Sequence, residues 1–128
     1  MKKTSIATVA IDLDGTILDF DLRRWLEEGM DYFGEPKENA IKALTRLRKL
    51  GYNILIYTTR INEALHSGYT IEQMRQYVAA VLYVHHIPYD SIWVNKGKPL
   101  ADWYIDDRGI KFTTWQGVFE TLGEWIGE

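Results

Sequence analysis

The chain reads as α/β with a mainly parallel sheet, and three observations lead there. Short apolar runs alternate with amphipathic stretches along the whole length. The first run, about residues 6–11, is apolar at nearly every position, as in a strand covered on both faces. Asp12, Thr58 and Asp106 each come immediately after an apolar run. In open parallel sheets, ligands bind beyond the carboxyl ends of the strands, where strand order reverses. Three residues far apart in sequence are therefore expected to meet in one crevice.

The elements follow in order. Residues 6–11 are strand one, followed by a mixed segment over 19–33 that suits a short helix or a flap. A helix is expected over 36–50, with Pro36 in its first turn and Gly51 beyond its last. Ile41, Leu44, Leu47 and Leu50 share its apolar face, and Lys42, Arg46 and Lys49 face water. Asn53 to Tyr57 form a buried strand that ends at Thr58, and 60–69 are a loop. Thr70 with Gln73 makes a capping box that opens a helix to about His86, which Pro88 stops. Ser91–Val94 and Asp102–Asp106 are the third and fourth strands, joined by a turn over Lys96–Pro99. Thr113 or Thr114 caps a final helix reaching about Trp125, weakened by Gly117 and Gly123.

At 128 residues a single domain, 1–128, is expected, with enough chain for one core. Aromatic residues make up 13%, a share that favours packing over disorder, and most of the tryptophans are expected in the core. The net charge of −3 argues against general nucleic-acid or anionic-membrane partners. No cysteine is present, which removes disulfides, thiolate zinc sites and cysteine nucleophiles. The stretch after Lys2 and Lys3 is too short for a signal peptide, and no run approaches the roughly 20 apolar residues of a membrane helix. A cytoplasmic protein is expected.

The chemistry concentrates in Asp12-Leu13-Asp14-Gly15-Thr16. Two carboxylates one residue apart at the end of a buried strand repel unless a cation holds them. In extended backbone Asp12 and Asp14 point the same way while Leu13 enters the core. Asp12 suits a nucleophile toward phosphorus, with Asp14 as general acid and base. Gly15 and Thr16 suit a turn whose amides approach a phosphate. The Thr58 hydroxyl and neighbouring Thr59 suit a phosphoryl oxygen, and a lysine of the Lys96–Lys98 turn would neutralise charge. Asp106 and Asp107 suit a cation, and Mg2+ is the natural choice, being hard and oxygen-seeking. Arg60 is placed to pair a substrate phosphate or carboxylate bidentately. Asn62, Glu63 and His66 share its loop; Asp19, Asp21, Arg23 and Arg24 lie in the flap region. Each of these has a plain reading as solvated surface. His85 and His86 sit near a helix C-terminus and read as structural.

Together these residues resemble the haloacid dehalogenase superfamily over nearly the whole chain. Asp12 to Thr16 match its first motif, Asp-x-Asp-Gly-Thr; Thr58 matches the second; a lysine upstream of Asp106-Asp107 matches the third; that acid pair matches the fourth. The resemblance implies a Rossmann-like three-layer α/β/α sandwich and magnesium-dependent phosphoryl transfer. It also implies metal ligation by Asp12, Asp106 and the backbone carbonyl of Asp14, with Asp107 as a ligand or as acceptor for a metal-bound water. Lys98 is the preferred motif lysine. The run Lys98-Pro99, Asp102 and Tyr104 to Arg108 resembles a small phosphatase-like branch associated with capsule and polysaccharide biosynthesis; Lys96 is the alternative.

Too few residues separate the motifs for a large cap domain. An open site takes a large substrate or is covered by a neighbouring subunit of a homo-oligomer. The expected activity is hydrolysis of a small-molecule phosphomonoester, such as a phosphorylated sugar, through an aspartyl-phosphate. A phosphotransferase or mutase on the same scaffold and a non-catalytic phosphate-binding module are the alternatives.

Overall fold

A computed structural model describes residues 7–62 and 68–123. Its centre is a four-stranded sheet, every pairing of which is parallel: β1 (Thr8–Asp12), β2 (Asn53–Tyr57), β3 (Ser91–Ile92) and β4 (Trp103–Ile105), in the order β3-β2-β1-β4. Parallel neighbours require crossovers. Helix α2 (Ala40–Lys49) joins β1 to β2, and α3 (Ile71–Val84) joins β2 to β3. The chain then passes to the far side of β1 to form β4, so strand order reverses between β1 and β4. This is the expected Rossmann-like α/β arrangement, with no large cap among the described residues.

Val9, Ile11, Ile54 and Ile56 point to one face and pack with Leu44 of α2 and Val78 and Leu82 of α3. Ala10 and Leu55 point the other way and are buried too, which explains the unbroken apolar runs. Helix α4 (Trp115–Leu122) buries none of its side chains.

Several expected boundaries shift. Pro36 does not open α2, because the chain is still pairing with an earlier segment there. Asp19 N–H donates to the Glu35 carbonyl (2.8 Å) and Lys37 N–H to the Ile17 carbonyl (2.8 Å). The helix starts at Ala40, after Asn39 in a left-handed conformation (φ 67°). Along its apolar face Leu44 is buried, whereas Ile41 and Leu50 stay exposed. The capping box of Thr70 and Gln73 is present, and α3 ends at Val84 with His85 as its C-cap and His86 at φ 56°. The histidines thus serve the helix end. Thr114, not Thr113, caps α4. That helix stops at Gly123 (φ 77°), and Trp125 lies outside the described residues. β3 and β4 are shorter than expected. None of the four described tryptophans is buried, against expectation: Trp25 and Trp93 are intermediate, and Trp103 and Trp115 exposed.

The mixed segment holds a short helix, α1 (Leu22–Glu28), and a single 3-10 turn (Gly29–Asp31). Asp21 caps α1 by accepting from the Arg23 and Arg24 amides. Phe20, Trp25 and Tyr32 pack as tilted rings, with centroids 6.4 Å (Phe20–Trp25) and 6.2 Å (Phe20–Tyr32) apart. The excursion is therefore an aromatic-packed wall, stitched at its base by the 17–19 and 35–37 segments.

Candidate active site

The register of β1 and β4, with Ile11 opposite Ile105, brings Asp12 and Asp106 out of adjacent strands at the same edge. This is the edge where strand order reverses, the place such sheets use for ligands. Leu13 turns into the core, fully buried, as expected. Asp12 is half-buried and accepts from the Leu13 N–H at 2.9 Å. Burial raises its pKa to about 6 from 3.8, against the lowering effect of the Leu13 amide; the charges of Asp107, Asp14 and Asp106 push the same way as burial. The four acids therefore share one electrostatic environment.

Asp106 is oriented by its own turn. Its Oδ1 accepts from the Arg108 N–H (3.0 Å) and the Gly109 N–H (2.5 Å), leaving Oδ2 toward the Tyr57 hydroxyl at 3.3 Å. Burial, followed by the charges of Asp106 and Asp12, pushes the Tyr57 phenol up to about 12. The Asp107 carboxylate lies against Gly15, where a Cβ would collide with it. Gly15 also has φ 86°, so the backbone conformation favours glycine, and a Cβ would in addition displace the Asp107 carboxylate.

One contact engages two of the expected site residues with each other. Arg60 donates to Asp14 bidentately, Nε to Oδ2 at 2.6 Å and Nη2 to Oδ1 at 2.9 Å. The Arg60 side chain is 1% exposed and that of Asp14 16%. The guanidinium lies 3.8 Å from the Phe33 ring centroid and 4.7 Å from that of Trp25. Arg60 is thus not presented to a substrate, and the Asp14 carboxylate is engaged rather than free for proton transfer. Burial inside the aromatic wall explains the difference: a planar cation stacks on rings while its fork grips a carboxylate.

The loop amides are also spent internally. Gly15 N–H donates to the Leu18 carbonyl (2.8 Å) and Thr16 N–H to the Leu13 carbonyl (3.3 Å), so neither approaches a phosphate as placed. The Thr16 hydroxyl oxygen is buried with no partner among the described residues. Thr58 Oγ1 accepts from the Arg60 N–H at 3.2 Å and keeps its proton to donate. The flap residues serve α1: Asp21 caps it, and Arg23–Glu27 and Arg24–Glu28 are exposed pairs along it. Glu63 and His66 lie outside the described residues.

The two candidate lysines part company. Lys98 Nζ lies 4.0 Å from the Tyr104 ring centroid, and Tyr104 meets Tyr57 edge to face at 6.4 Å, on the acid side. Lys96 instead lines an open pocket of 610 Å³ at the ends of β2 and β3, together with Thr58 and Thr59.

Among the described residues no three carboxylate or imidazole side chains stand together as a ready metal cluster. The donor chemistry nevertheless fits a hard cation. Asp12, Asp106 and Asp107 supply only oxygens, and a cation would offset both the burial of the Asp12 charge and the repulsion from its acidic neighbours, which together raise its pKa. Arg60 engages both carboxylate oxygens of Asp14, and the Asp14 backbone carbonyl is a further oxygen on the same loop.

Tyr57, Trp25 and Phe33 were not singled out from sequence as site residues. Tyr57 carried a signal: it is the last residue of an apolar strand ending at the ligand edge. Trp25 and Phe33 carried none, because only the folded excursion brings them onto Arg60.

No protein-family model matches the chain, and no curated protein matches it. Two solved structures are similar. A conserved protein from Bacteroides thetaiotaomicron is 20% identical, with a TM-score of 0.52 over 93% of this chain and 91% of its own. A protein from Vibrio cholerae is 27% identical, with a TM-score of 0.55 over 83% of this chain and 84% of its own. The first likeness is one of fold. Both likenesses extend over most of each chain.

Proposed function

We propose that the protein is a divalent-cation-dependent phosphohydrolase that cleaves a small phosphomonoester by transferring its phosphoryl group to Asp12. The observation that carries this reading is the position of Asp12: half-buried at the β1–β4 switch point, where burial first, and then the charges of Asp107, Asp14 and Asp106, raise its pKa to about 6. Asp14 is paired with Arg60, whereas the crowding of Asp12, Asp106 and Asp107 is unfavourable by itself and suits a cation and an anionic ligand.

Asp12, Asp106 and the Asp14 carbonyl would hold Mg2+, with Asp107 beside them. Bound there, the cation offsets repulsion between carboxylate and phosphate and polarises phosphoryl oxygens. An Asp12 oxygen forms a bond to phosphorus as the ester P–O bond breaks, and the leaving oxygen takes up a proton from solvent water. A second water then attacks phosphorus, the Asp12 O–P bond breaks, the attacking water's proton passes to solvent, and phosphate leaves with the Asp12 carboxylate restored. Lys98 offers positive charge on the acid side, and the Thr58 hydroxyl is available to a phosphoryl oxygen. Asp14, gripped by Arg60, orients the loop.

The Arg60–Asp14 pair also favours a second reading, a phosphate-binding module without turnover, because it engages the group expected to shuttle protons. Purified protein with Mg2+ and a broad phosphomonoester panel separates the two. Released phosphate, lost in Asp12→Asn, upholds hydrolysis; phosphoester binding with no release upholds the module.

A further inference from the structure

We infer that the pocket between the ends of β2 and β3 receives the non-reacting part of the substrate, and that this part is a ring bearing a second negatively charged group. The inference rests on the phosphohydrolase reading for the position of the phosphoryl end. The pocket's volume, 610 Å³, lies within the range of ligand sites, about 300–1,000 Å³. It touches the acid edge through Tyr57, which lines the pocket and places its hydroxyl 3.3 Å from Asp106. A molecule with its phosphoryl group at Asp12 therefore has the pocket beside it.

The pocket's far wall is built in advance. Trp93 N–H donates to the Ile56 carbonyl at 2.8 Å, and its indole Nε1–H donates to the Gly97 carbonyl at 2.9 Å. Gly97, at φ 80°, lets the turn close on the indole. Trp93, Val94, Ile61 and Ile71 give the pocket an apolar lining with an aromatic platform, which suits the face of a ring. The charge balance reverses from one end to the other. Asp12, Asp106 and Asp107 crowd the acid edge beside the Asp14–Arg60 pair, whereas among the described lining residues the pocket holds one cation, Lys96, and no carboxylate. A ligand spanning both has one anionic end for the cation-loaded acids and another for Lys96.

Three alkyl phosphates with leaving oxygens of similar basicity test this: ethyl, benzyl and para-carboxybenzyl phosphate, with Mg2+. Wild type is expected to favour benzyl over ethyl, and para-carboxybenzyl over benzyl, in kcat/KM. Lys96→Ala is expected to shrink the para-carboxybenzyl to benzyl ratio about tenfold, and Lys96→Glu to invert it. Calorimetric titration with benzylphosphonate and para-carboxybenzylphosphonate reads the same preference without turnover. Equal kcat/KM for the three esters, or a ratio indifferent to the charge at position 96, overturns the inference and leaves hydrolysis intact. If no ester turns over, a Lys96-dependent preference among the phosphonates upholds the pocket while the hydrolysis reading falls. No such preference among the phosphonates overturns the pocket.

Discussion

Arg60 holds Asp14 through two hydrogen bonds of 2.6 and 2.9 Å, inside a wall formed by Trp25 and Phe33. A residue after β2 thus fixes the loop after β1, and the excursion before α2 supplies the rings that make its burial tolerable. Breaking a buried pair from one side leaves an uncompensated charge, at about 3–5 kcal/mol. Arg60→Met is therefore expected to be strongly destabilising in urea denaturation. Adding Asp14→Asn should recover part of the loss, and the double-mutant cycle should show a coupling above about 1 kcal/mol. Simple additivity would mean that the two residues do not act as a pair.

Asp12 gives a pH dependence of definite sign. Its folded pKa, about 6, lies above the ordinary 3.8, so the folded state binds more protons between those values. Cation-free protein should lose stability as pH rises from about 4 through 6, and no further contribution from Asp12 follows above that window. Asp12→Asn should remove this loss and stabilise cation-free protein at pH about 7.5 by about 1 kcal/mol, a figure discounted for the partial exposure of the site. Melting curves of both proteins at low and neutral pH check it; parallel curves would contradict it.

Asp106 separates scaffold from cation binding. Asp106→Asn keeps a carbonyl oxygen for the Arg108 and Gly109 amides, so its melting temperature should stay near wild type while stabilisation by Mg2+ falls. Asp106→Ala removes the acceptor from two backbone donors that face water and should cost about 1 kcal/mol as well. Melts with and without Mg2+ distinguish the two variants.

Gly15→Ala meets two obstacles together, a φ of 86° and the Asp107 carboxylate. A non-glycine residue held in such a conformation costs about 1–3 kcal/mol. The displaced carboxylate should also weaken Mg2+ binding, measured by titration. Unchanged stability and unchanged affinity would show that Gly15 and Asp107 do not constrain one another.

The framework was legible because it is periodic: β1, β2 and the Thr70 capping box follow from apolar runs and local hydrogen-bond chemistry. The placement of Asp12 and Asp106 at one edge followed from parallel topology. Boundaries failed where tertiary pairing overrode propensity. Pro36 suits a helix start, but the hydrogen bonds of Glu35 and Lys37 to the segment before α1 delay the helix to Ala40. The role of Arg60 was hidden for a related reason. In sequence it follows a strand end and reads as a ligand for substrate; only long-range contacts with Asp14, Trp25 and Phe33 reveal it as an internal brace. Tyr57 was readable in position but not in orientation, which depends on the turn that aims Asp106 at it.

The proposed capture of a phosphoryl group on Asp12 is tested most directly by acid-quenching the protein after brief incubation with a phosphomonoester and Mg2+ and mapping the peptides by mass spectrometry. The account predicts one added phosphoryl group on the peptide containing Asp12, absent without Mg2+ and absent in Asp12→Asn. Phosphate release that persists in Asp12→Asn, with no modified peptide in wild type, would contradict it.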